Sequence, residues 1–408
     1  MRGMVFDDLA QLLAPCLSED FLTAAWGKSY RHIHGWPGKF ARLLPWDELN
    51  EILMRHRLDY PRLRLMQDGR RLPTNTYLRH AASGGGGGSR VSIPRLQHVA
   101  LTNHLRDGAT LVLDAVDELC QPIREVAETL ERIFHERVQV NCYAGWRTQR
   151  GFDLHWDDHD VFILQVAGRK RWSVYGMTKP SPLRRDDHEI QKPDAEQPLW
   201  TETLEDGDLL YLPRGWWHVA LPLDEPTLHL TVGVHNRTGV DLLHWLADRM
   251  SGVEAFRHDL PLLATEWERA EHLARLRREL LAEWDAHDLL ELYYAEQDAK
   301  AEPRPLLNLP HSATQDALQD DALLRLNTPR PLRLAAADGV VRFSCNKKHW
   351  KFAADALPVL RHLNERRACT VGELCLSAQA QLDEQTVRAL LRELLQHGLV
   401  VLQPGLKY

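Results

Sequence analysis

The segment Thr227–His235 constrains the fold most, because its side chains alternate in character without a break. One set of positions is aliphatic, namely Leu228, Leu230, Val232 and Val234. The other set is polar or small, namely His229, Thr231 and Gly233. A period of two predicts a β-strand with one face in the core. Further short segments of this kind, separated by turn residues, follow one another from Val138 to Leu221, which predicts a double-sheet jelly roll.

The chain contains one His-x-Asp/Glu pair, His155-Trp-Asp157, followed by the apolar run Val161-Phe-Ile-Leu. In an extended strand, residues i and i+2 face the same side, so His155 and Asp157 can hold one metal ion, whereas Asp158 faces away. A second histidine from a neighbouring strand would complete a 2-His-1-carboxylate set, and His218, His229 and His235 are the candidates. A self-solvating surface turn is the alternative, because about three such pairs are expected by chance in a chain of this composition.

Longer motifs surround the pair. The first series comprises Asn141-Cys-Tyr143, His155-Trp-Asp157, Asp160-Val-Phe-Ile-Leu-Gln165 and Gly168-Arg-Lys170-Arg-Trp172. The second is Gly207-Asp-Leu-Leu-Tyr211-Leu-Pro-Arg-Gly-Trp-Trp-His218. Together they resemble the JmjC branch of the cupin-fold 2-oxoglutarate oxygenases, and they are most similar to the ribosomal oxygenases, which hydroxylate a side chain of a ribosomal protein. The segment Phe21–Asn50 resembles the N-terminal part of the same family.

The resemblance implies an α+β fold with a double-stranded β-helix barrel, Fe(II) as the metal and 2-oxoglutarate as co-substrate. It implies His155, Asp157 and His218 as metal ligands, which favours His218 over its two rivals. It implies a co-substrate site formed by Lys170, Tyr143, Thr231 and Asn141. Lys170 would bind the distal carboxylate, and its alternative is a solvated strand lysine between Arg169 and Arg171.

The favoured function is hydroxylation of an arginine or histidine side chain in a protein or peptide, with a ribosomal protein as the expected substrate. A precursor peptide of a natural product is the main variant. A second class is a non-catalytic cupin regulator whose C-terminal domain binds nucleic acid. A lysine demethylase is a third option, and it would need a cage for a methylammonium group.

Composition indicates a globular, cytoplasmic protein. In 408 residues there is no apolar run long enough for a transmembrane helix, so no membrane partner is expected. An N-terminus with acidic residues before any apolar stretch is unlike a signal peptide. The six cysteines are scattered and form no Cys-x-x-Cys, which predicts reduced thiols.

We predict three domains: a JmjC/cupin catalytic domain at 1–240, a helical domain at 241–329 and a winged-helix domain at 330–408. Family resemblance implies that the helical domain makes a homodimer; a cap packed on its own barrel is the alternative. Residues 241–329 hold 9 basic and 18 acidic residues, whereas residues 330–408 hold 12 and 7. The basic C-terminal part therefore allows nucleic-acid contact, although the whole chain does not indicate it.

Two further features lie in the N-terminal part. The glycine run Gly84–Gly88 and its neighbours, 82–90, predict a flexible loop, either a plain loop or a lid over the substrate groove. The pair His32/His34 has metal-ligand spacing, but no carboxylate stands near it in the sequence. We therefore interpret it as structural.

Overall fold

The structure is a computed structural model that describes residues 6, 8–84, 90–186, 190–285, 288–309, 313, 318–366 and 368–403. The chain divides into two compact units between Asn236 and Arg237. Among the described residues, no helix is long and apolar enough to cross a membrane. All six cysteines are free thiols, as their scattered positions predict.

The N-terminal unit combines short helices with many strands. Its helices are α1 (Leu9–Leu13), α2 (Ser18–Ala24), α3 (Trp46–Arg55), α4 (His98–Arg106) and α5 (Gln121–Phe134). Its strands are β1 (Arg31–Ile33), β2 (Leu63–Gln67), β3 (Arg70–Arg71), β4 (Leu78–Gly84), β5 (Arg90–Leu96), β6 (Thr110–Leu113), β7 (Arg137–Gly145), β8 (Asp160–Ala167), β9 (Lys170–Gly176), β10 (Trp200–Leu204), β11 (Leu209–Leu212), β12 (Trp217–Pro222) and β13 (Thr227–His235).

A large antiparallel sheet and a smaller one form the barrel. The large sheet has the order β1-β11-β8-β13-β7-β6-β2-β3, and the smaller one has the order β10-β9-β12. Between the two sheets lies an apolar layer that contains Val161 and Ile163 of β8 together with Trp172 and Val174 of β9. The two-layer sheet arrangement predicted from the short alternating segments is therefore present.

Helices cover the other face of the large sheet. The aliphatic positions of β13 pack there with the apolar side of α5, including Ile123, Val126 and Leu130. The alternation read from β13 thus has the predicted result, because its aliphatic set faces the helices and its polar set faces the barrel interior. Strand β8 is buried on both faces and carries apolar side chains on both, which explains its unbroken apolar run.

Side chains from the two sets of sequence motifs form hydrogen bonds between the strands on which the motifs lie. The Asp160 carboxylate accepts hydrogen bonds from the Tyr211 hydroxyl at 2.8 Å and from the Arg214 backbone N–H at 2.8 Å. The Gln165 side chain donates to Thr227 Oγ1 at 2.8 Å, and its backbone oxygen accepts from Gly207 at 2.9 Å. Much of the two motifs therefore holds β8, β11 and β13 in register.

Part of the stretch predicted as a flexible loop, 82–90, belongs to strands. Strands β4 and β5 pair from Leu78 with Leu96 to Gly84 with Arg90, so residues 82–84 and 90 belong to a hairpin. The remainder of the run, 85–89, lies outside the described residues.

The C-terminal unit contains the helices α6 (Gly239–Met250), α7 (Glu266–Asp285), α8 (Leu289–Lys300), α9 (Leu357–Glu365), α10 (Val371–Ala378) and α11 (Glu384–Gln396). Its strands are β14 (Leu323–Leu326), β15 (Ala335–Ala337), β16 (Val340–Cys345), β17 (Lys348–Ala353), β18 (Cys369–Thr370) and β19 (Val400–Leu402). They form two sheets, with the orders β18-β14-β19 and β15-β16-β17.

Two details of this unit differ from the sequence prediction. Residues 241–329 were predicted as a helical domain, but β14 within this range pairs with β18 and β19 and contributes Leu324 and Leu326 to their core. Strand β17 was not predicted, because Lys348 and Lys351 interrupt its apolar pattern at exposed positions. Strand β14 depends on partners distant in the sequence, whereas β17 pairs with the adjacent strand β16 in a hairpin.

Candidate metal centre and co-substrate pocket

The side chains of His155, Asp157 and His218 converge inside the barrel. Each offers one ligand atom, and these atoms all lie within 4.8 Å of one another. His218 Nε2 is 3.6 Å from Asp157 Oδ2, and the two imidazole centroids are 4.4 Å apart. Two imidazoles and one carboxylate at this spacing form a one-sided donor set that fits Fe(II) with open coordination positions.

The backbone fixes this convergence. His155 and His218 exchange a pair of backbone hydrogen bonds, N–H to O at 3.2 Å and 2.8 Å, in an isolated antiparallel bridge. The Asp157 carbonyl accepts a hydrogen bond from the Gly215 N–H at 2.9 Å. The prediction that His155 and Asp157 lie in a regular strand is therefore wrong, since only this bridge joins the segment to β12. The two side chains nevertheless meet.

Backbone carbonyls also select the tautomer of both histidines. The Nδ1–H of His155 donates to the Asp153 carbonyl at 2.8 Å, and that of His218 donates to the Trp216 carbonyl at 2.9 Å. In each ring, Nε2 is then left with a lone pair. Such outer hydrogen bonds orient an imidazole for metal binding.

Electrostatics favour the protonation states that a metal requires. Burial, and next the neighbouring imidazole of His155, lower the pKa of His218 to about 4, so this ring is neutral at neutral pH. Burial alone would raise the pKa of Asp157, but the imidazoles of His218 and His155 lower it overall, so the carboxylate is ionised. A neutral nitrogen donor beside an anionic oxygen donor is the form that binds a divalent cation.

A cavity of about 540 Å³, including its open mouth, adjoins these three side chains. Lys170 projects into it from β9 and is 6% exposed, and its Nζ lies 5.7 Å from the centre of the Trp172 ring. Among the described residues, Lys170 makes no hydrogen bond or ion pair. Burial lowers its pKa to about 7. A buried amine without a counter-ion is costly unless an anion joins it.

Other buried polar atoms of the cavity wall also have no hydrogen-bond partner within the described part of the chain. They are Thr110 Oγ1, Trp172 Nε1 and His229 Nδ1. His229 stacks on Tyr143 with a centroid separation of 4.9 Å, and burial and the Lys170 charge lower its pKa well below the usual value. Buried polar groups in folded proteins are normally hydrogen-bonded. The residues present therefore fit a polar, anionic ligand such as 2-oxoglutarate.

A comparison with protein families identifies the region that carries these residues. Residues 118–242 match the JmjC domain family. The chain thus carries a JmjC domain. The motifs that carry the family resemblance, from Asn141 to His218, all fall inside the matched range.

Among curated proteins, the chain is similar to "Bifunctional lysine-specific demethylase and histidyl-hydroxylase NO66". The Drosophila pseudoobscura pseudoobscura protein is 30% identical over 244 residues, covering 56% of this chain and 23% of its own length. The Dictyostelium discoideum protein is 26% identical over 281 residues, covering 64% of this chain and 50% of its own. The chain therefore spans half or less of these relatives.

Solved structures show the same fold over nearly the whole chain. The Escherichia coli ribosomal oxygenase YcfD has a TM-score of 0.58 and 20% identity, with 95% of this chain and 98% of YcfD covered. YcfD in complex with cobalt and 2-oxoglutarate has a TM-score of 0.55 and 20% identity, with 94% and 98% covered. The mixed helix-and-sheet JmjC fold predicted from the sequence is confirmed.

Not all of the residues predicted for the co-substrate line the cavity of the JmjC domain. Tyr143, Lys170 and Thr231 do. Asn141 shares the face of Tyr143 on β7 but is not among the lining residues, and its Oδ1 accepts hydrogen bonds from the Ala115 backbone N–H at 3.0 Å and from Gln139 Nε2 at 3.1 Å. Its side chain thus holds the neighbouring backbone.

Neither rival of His218 belongs to the cluster that it forms with His155 and Asp157. His229 lines the cavity next to Tyr143, whereas His235 lies beside His159 with ring centroids 4.4 Å apart. Asp158 also points away from the three-residue cluster, because Oδ1 accepts a hydrogen bond from His159 Nδ1 at 2.9 Å. The i+2 argument for choosing Asp157 over Asp158 matches this geometry.

The fold brings carboxylates to His32 that are far from it in the sequence, and a structural role for His32 remains consistent. His32 Nδ1 lies 3.1 Å from Glu202 and Nε2 lies 3.1 Å from Asp208, so both ring nitrogens have carboxylate partners. Asp208 also accepts the backbone N–H groups of Gly35 and Glu205. The partners lie about 170 positions away in the chain, where sequence spacing gives no signal.

Thr110 and Phe152 complete the cavity wall and were not predicted. Thr110 begins a fully buried strand in which no other residue is polar, and that contrast is the only available signal. Phe152 lies in an irregular segment, so no periodicity indicates which way its ring points.

Proposed function

We propose that this chain is an Fe(II)- and 2-oxoglutarate-dependent dioxygenase that hydroxylates a side chain of a protein or peptide. Arginine or histidine is the expected target residue, and a ribosomal protein is the expected substrate. One observation carries the proposal: His155, Asp157 and His218 converge beside a buried lysine that has no counter-ion among the described residues. YcfD, which shares the fold, has been solved with cobalt and 2-oxoglutarate.

Each residue has a defined task in the proposal. His155 and His218 hold the iron through Nε2 and Asp157 through a carboxylate oxygen, while the bound iron and co-substrate supply the oxygen chemistry. Lys170 binds the distal carboxylate of 2-oxoglutarate as a charge-assisted partner in a low-dielectric cavity. Tyr143 and Thr231 offer hydroxyl groups beside it. Burial strongly raises the pKa of Tyr143, so its phenol stays protonated and can donate.

The unpartnered atoms Thr110 Oγ1, Trp172 Nε1 and His229 Nδ1 belong to the same cavity. A bound dicarboxylate together with ordered water would give all three atoms hydrogen-bond partners. An empty cavity would leave these buried atoms unpaired, which costs free energy. This supports the enzyme over a non-catalytic cupin regulator, which has no need of a buried cation.

The decisive experiment incubates the protein with Fe(II), 2-oxoglutarate, oxygen and candidate ribosomal proteins, and then measures intact masses. We expect one substrate to gain one oxygen, with succinate formed in equal amount. The Asp157→Ala variant should abolish both. If no ribosomal protein changes mass but a precursor peptide is hydroxylated, the proposed substrate is wrong and the proposed reaction is retained.

A demethylase is the second candidate, because the relatives' name includes that activity beside histidyl hydroxylation. The same assay separates the two, since demethylation removes a methyl group from a methylated lysine instead of adding an oxygen. Absence of 2-oxoglutarate turnover in the presence of Fe(II) would instead favour the regulator.

We further propose that the helical region forms a homodimer and that residues 330–408 form a winged-helix domain with a role in protein contact. Helix α7 has no buried residue, and its Trp267 and Leu273 are 72% and 62% exposed, which supports an apolar contact with a second copy.

The free cysteines support the predicted cytoplasmic location. The three-domain division at 240 and 329 stays a prediction.

A further inference from the structure

We propose that Asp158, His159 and His235 form a second divalent-metal site, separate from the candidate iron centre. Each of these residues offers one ligand atom, and the three atoms lie within 4.8 Å of one another. The site takes a borderline transition-metal ion such as Zn²⁺, because its donors are two imidazoles and one carboxylate.

The spacing of the donors matches coordination to one ion. His159 Nδ1 and Asp158 Oδ1 are 2.9 Å apart, and the rings of His159 and His235 are 4.4 Å apart and inclined by 32°. Neighbouring ligands on an ion with bonds of about 2.1 Å lie about 3 Å apart. The shared proton between Asp158 and His159 is replaced by the metal when it binds.

A glycine provides the seat for His159. Gly233 lies on β13 two residues before His235, and a Cβ placed on it would lie 2.6 Å from Cδ2 and Nε2 of the His159 ring. Only a glycine lets the ring lie this close to the strand that carries His235. The two histidines are thereby brought together from β13 and from the residue that precedes β8.

The surroundings leave access for an ion. The side chains of Asp158 and His159 are 32% and 20% exposed, and His235 is exposed, so water can supply the remaining ligands. Arg184 approaches Asp158 Oδ2 only to 3.9 Å, and its side chain is 92% exposed, so it can swing away.

The two clusters share no residue, although Asp157 and Asp158 are consecutive. Asp157 faces His218, whereas Asp158 faces His159. The third cluster with metal-ligand spacing, His32, His34 and Glu202, is different, because both nitrogens of His32 already have carboxylate partners at 3.1 Å. The cluster around His159 is therefore the better candidate for an additional ion.

The test measures bound Zn²⁺ on the full chain after removal of metals with a chelator. Zn²⁺ alone is titrated in competition with a chromophoric chelator, and the metal retained after gel filtration is counted. We expect the double variant His159→Asn/His235→Asn to bind one equivalent fewer than the wild type. The control double variant His258→Asn/His349→Asn, which changes two histidines elsewhere, should lose none.

The following results distinguish a failure of the second metal site from a failure of the proposed function. In a His218→Asn background, one tight equivalent should remain, and it should disappear when His159→Asn/His235→Asn is added. Co²⁺ bound to the His218→Asn protein should give a visible d–d spectrum that the added substitutions remove. Equal Zn²⁺ binding by the wild type and the His159→Asn/His235→Asn variant, with unchanged circular dichroism, would overturn the site even if the iron centre is correct.

Discussion

Consecutive carboxylates on one short segment serve different neighbours. Asp157 lies among the imidazoles of the candidate iron centre, and Asp158 bonds His159. The separation follows from the extended backbone, which sends adjacent side chains to opposite sides even outside a regular strand. At the residue scale, single substitutions therefore distinguish the roles of neighbouring positions.

Asp157→Ala should weaken Fe(II) binding by at least about 100-fold, because it removes the only anionic donor of the three. Asp153→Asn is the matched control, since that side chain contacts Arg150 at the surface and only its backbone carbonyl orients His155. Fe(II) affinity under anaerobic conditions is the measurement. Equal affinity for the two variants would contradict the assignment of Asp157.

Lys170→Met should raise the KM for 2-oxoglutarate by about 10- to 100-fold, the usual loss for a charged hydrogen bond. Arg171→Met is the control, because Arg171 is the next residue on β9 and is exposed. Initial rates at varied 2-oxoglutarate give both constants. A similar KM for the two variants would show that the distal carboxylate binds elsewhere.

The affinity for 2-oxoglutarate should also fall as pH rises from about 7 to 9. Burial lowers the pKa of Lys170 to about 7, so the free protein loses the ammonium charge over this range and must take up a proton to bind the carboxylate. Calorimetry of metal-loaded protein in buffers of different ionisation enthalpy would detect that proton. A constant affinity with no proton uptake would refute the prediction.

At the scale of elements, the turn between β8 and β9 positions Lys170 in the cavity that adjoins the candidate iron centre. Gly168 has φ +63°, and a Cβ on it would lie 2.0 Å from the Pro226 carbonyl oxygen. Glycine is required there for two reasons, the left-handed backbone and the close approach of another chain segment.

Gly168→Ala should lower the free energy of unfolding by about 3 kcal/mol, the sum of backbone strain and overpacking. Gly38→Ala is the control, because Gly38 in the same unit has φ +81° but nothing within 4 Å of a Cβ, so only about 1 kcal/mol is expected. Denaturant unfolding of both variants tests the difference. Equal losses would show that Pro226 moves aside without cost.

The period of the apolar residues predicts a strand or helix well where that element buries one apolar face. Strand β13 and helix α5 lie where their periods place them, because each buries one apolar face. Strand β14 and the partners of His32 were missed, since both depend on pairing across long stretches of chain. The segment around His155 was predicted as a strand because extended residues alternate whether or not a neighbour pairs with them.

At the scale of the whole molecule, we predict a dimer of the 46.9 kDa chain. Trp267→Glu/Leu273→Glu should give the monomer mass in light scattering, because these exposed side chains of α7 would each place a charge in the apolar contact. Leu376→Glu is the control, since Leu376 is 65% exposed on a different helix. A wild-type protein that is monomeric at micromolar concentration would refute the dimer.

The backbone bridge between His155 and His218 bears on how the protein acquires its metal. Because main-chain hydrogen bonds set the separation of the two rings, their conformational entropy is lost when the chain folds and not when an ion arrives. Small zinc domains behave in the opposite way and collapse only around their ion. Treatment with a chelator should therefore abolish the hydroxylase activity and leave the circular dichroism spectrum unchanged. Addition of Fe(II) should restore the activity without a refolding step.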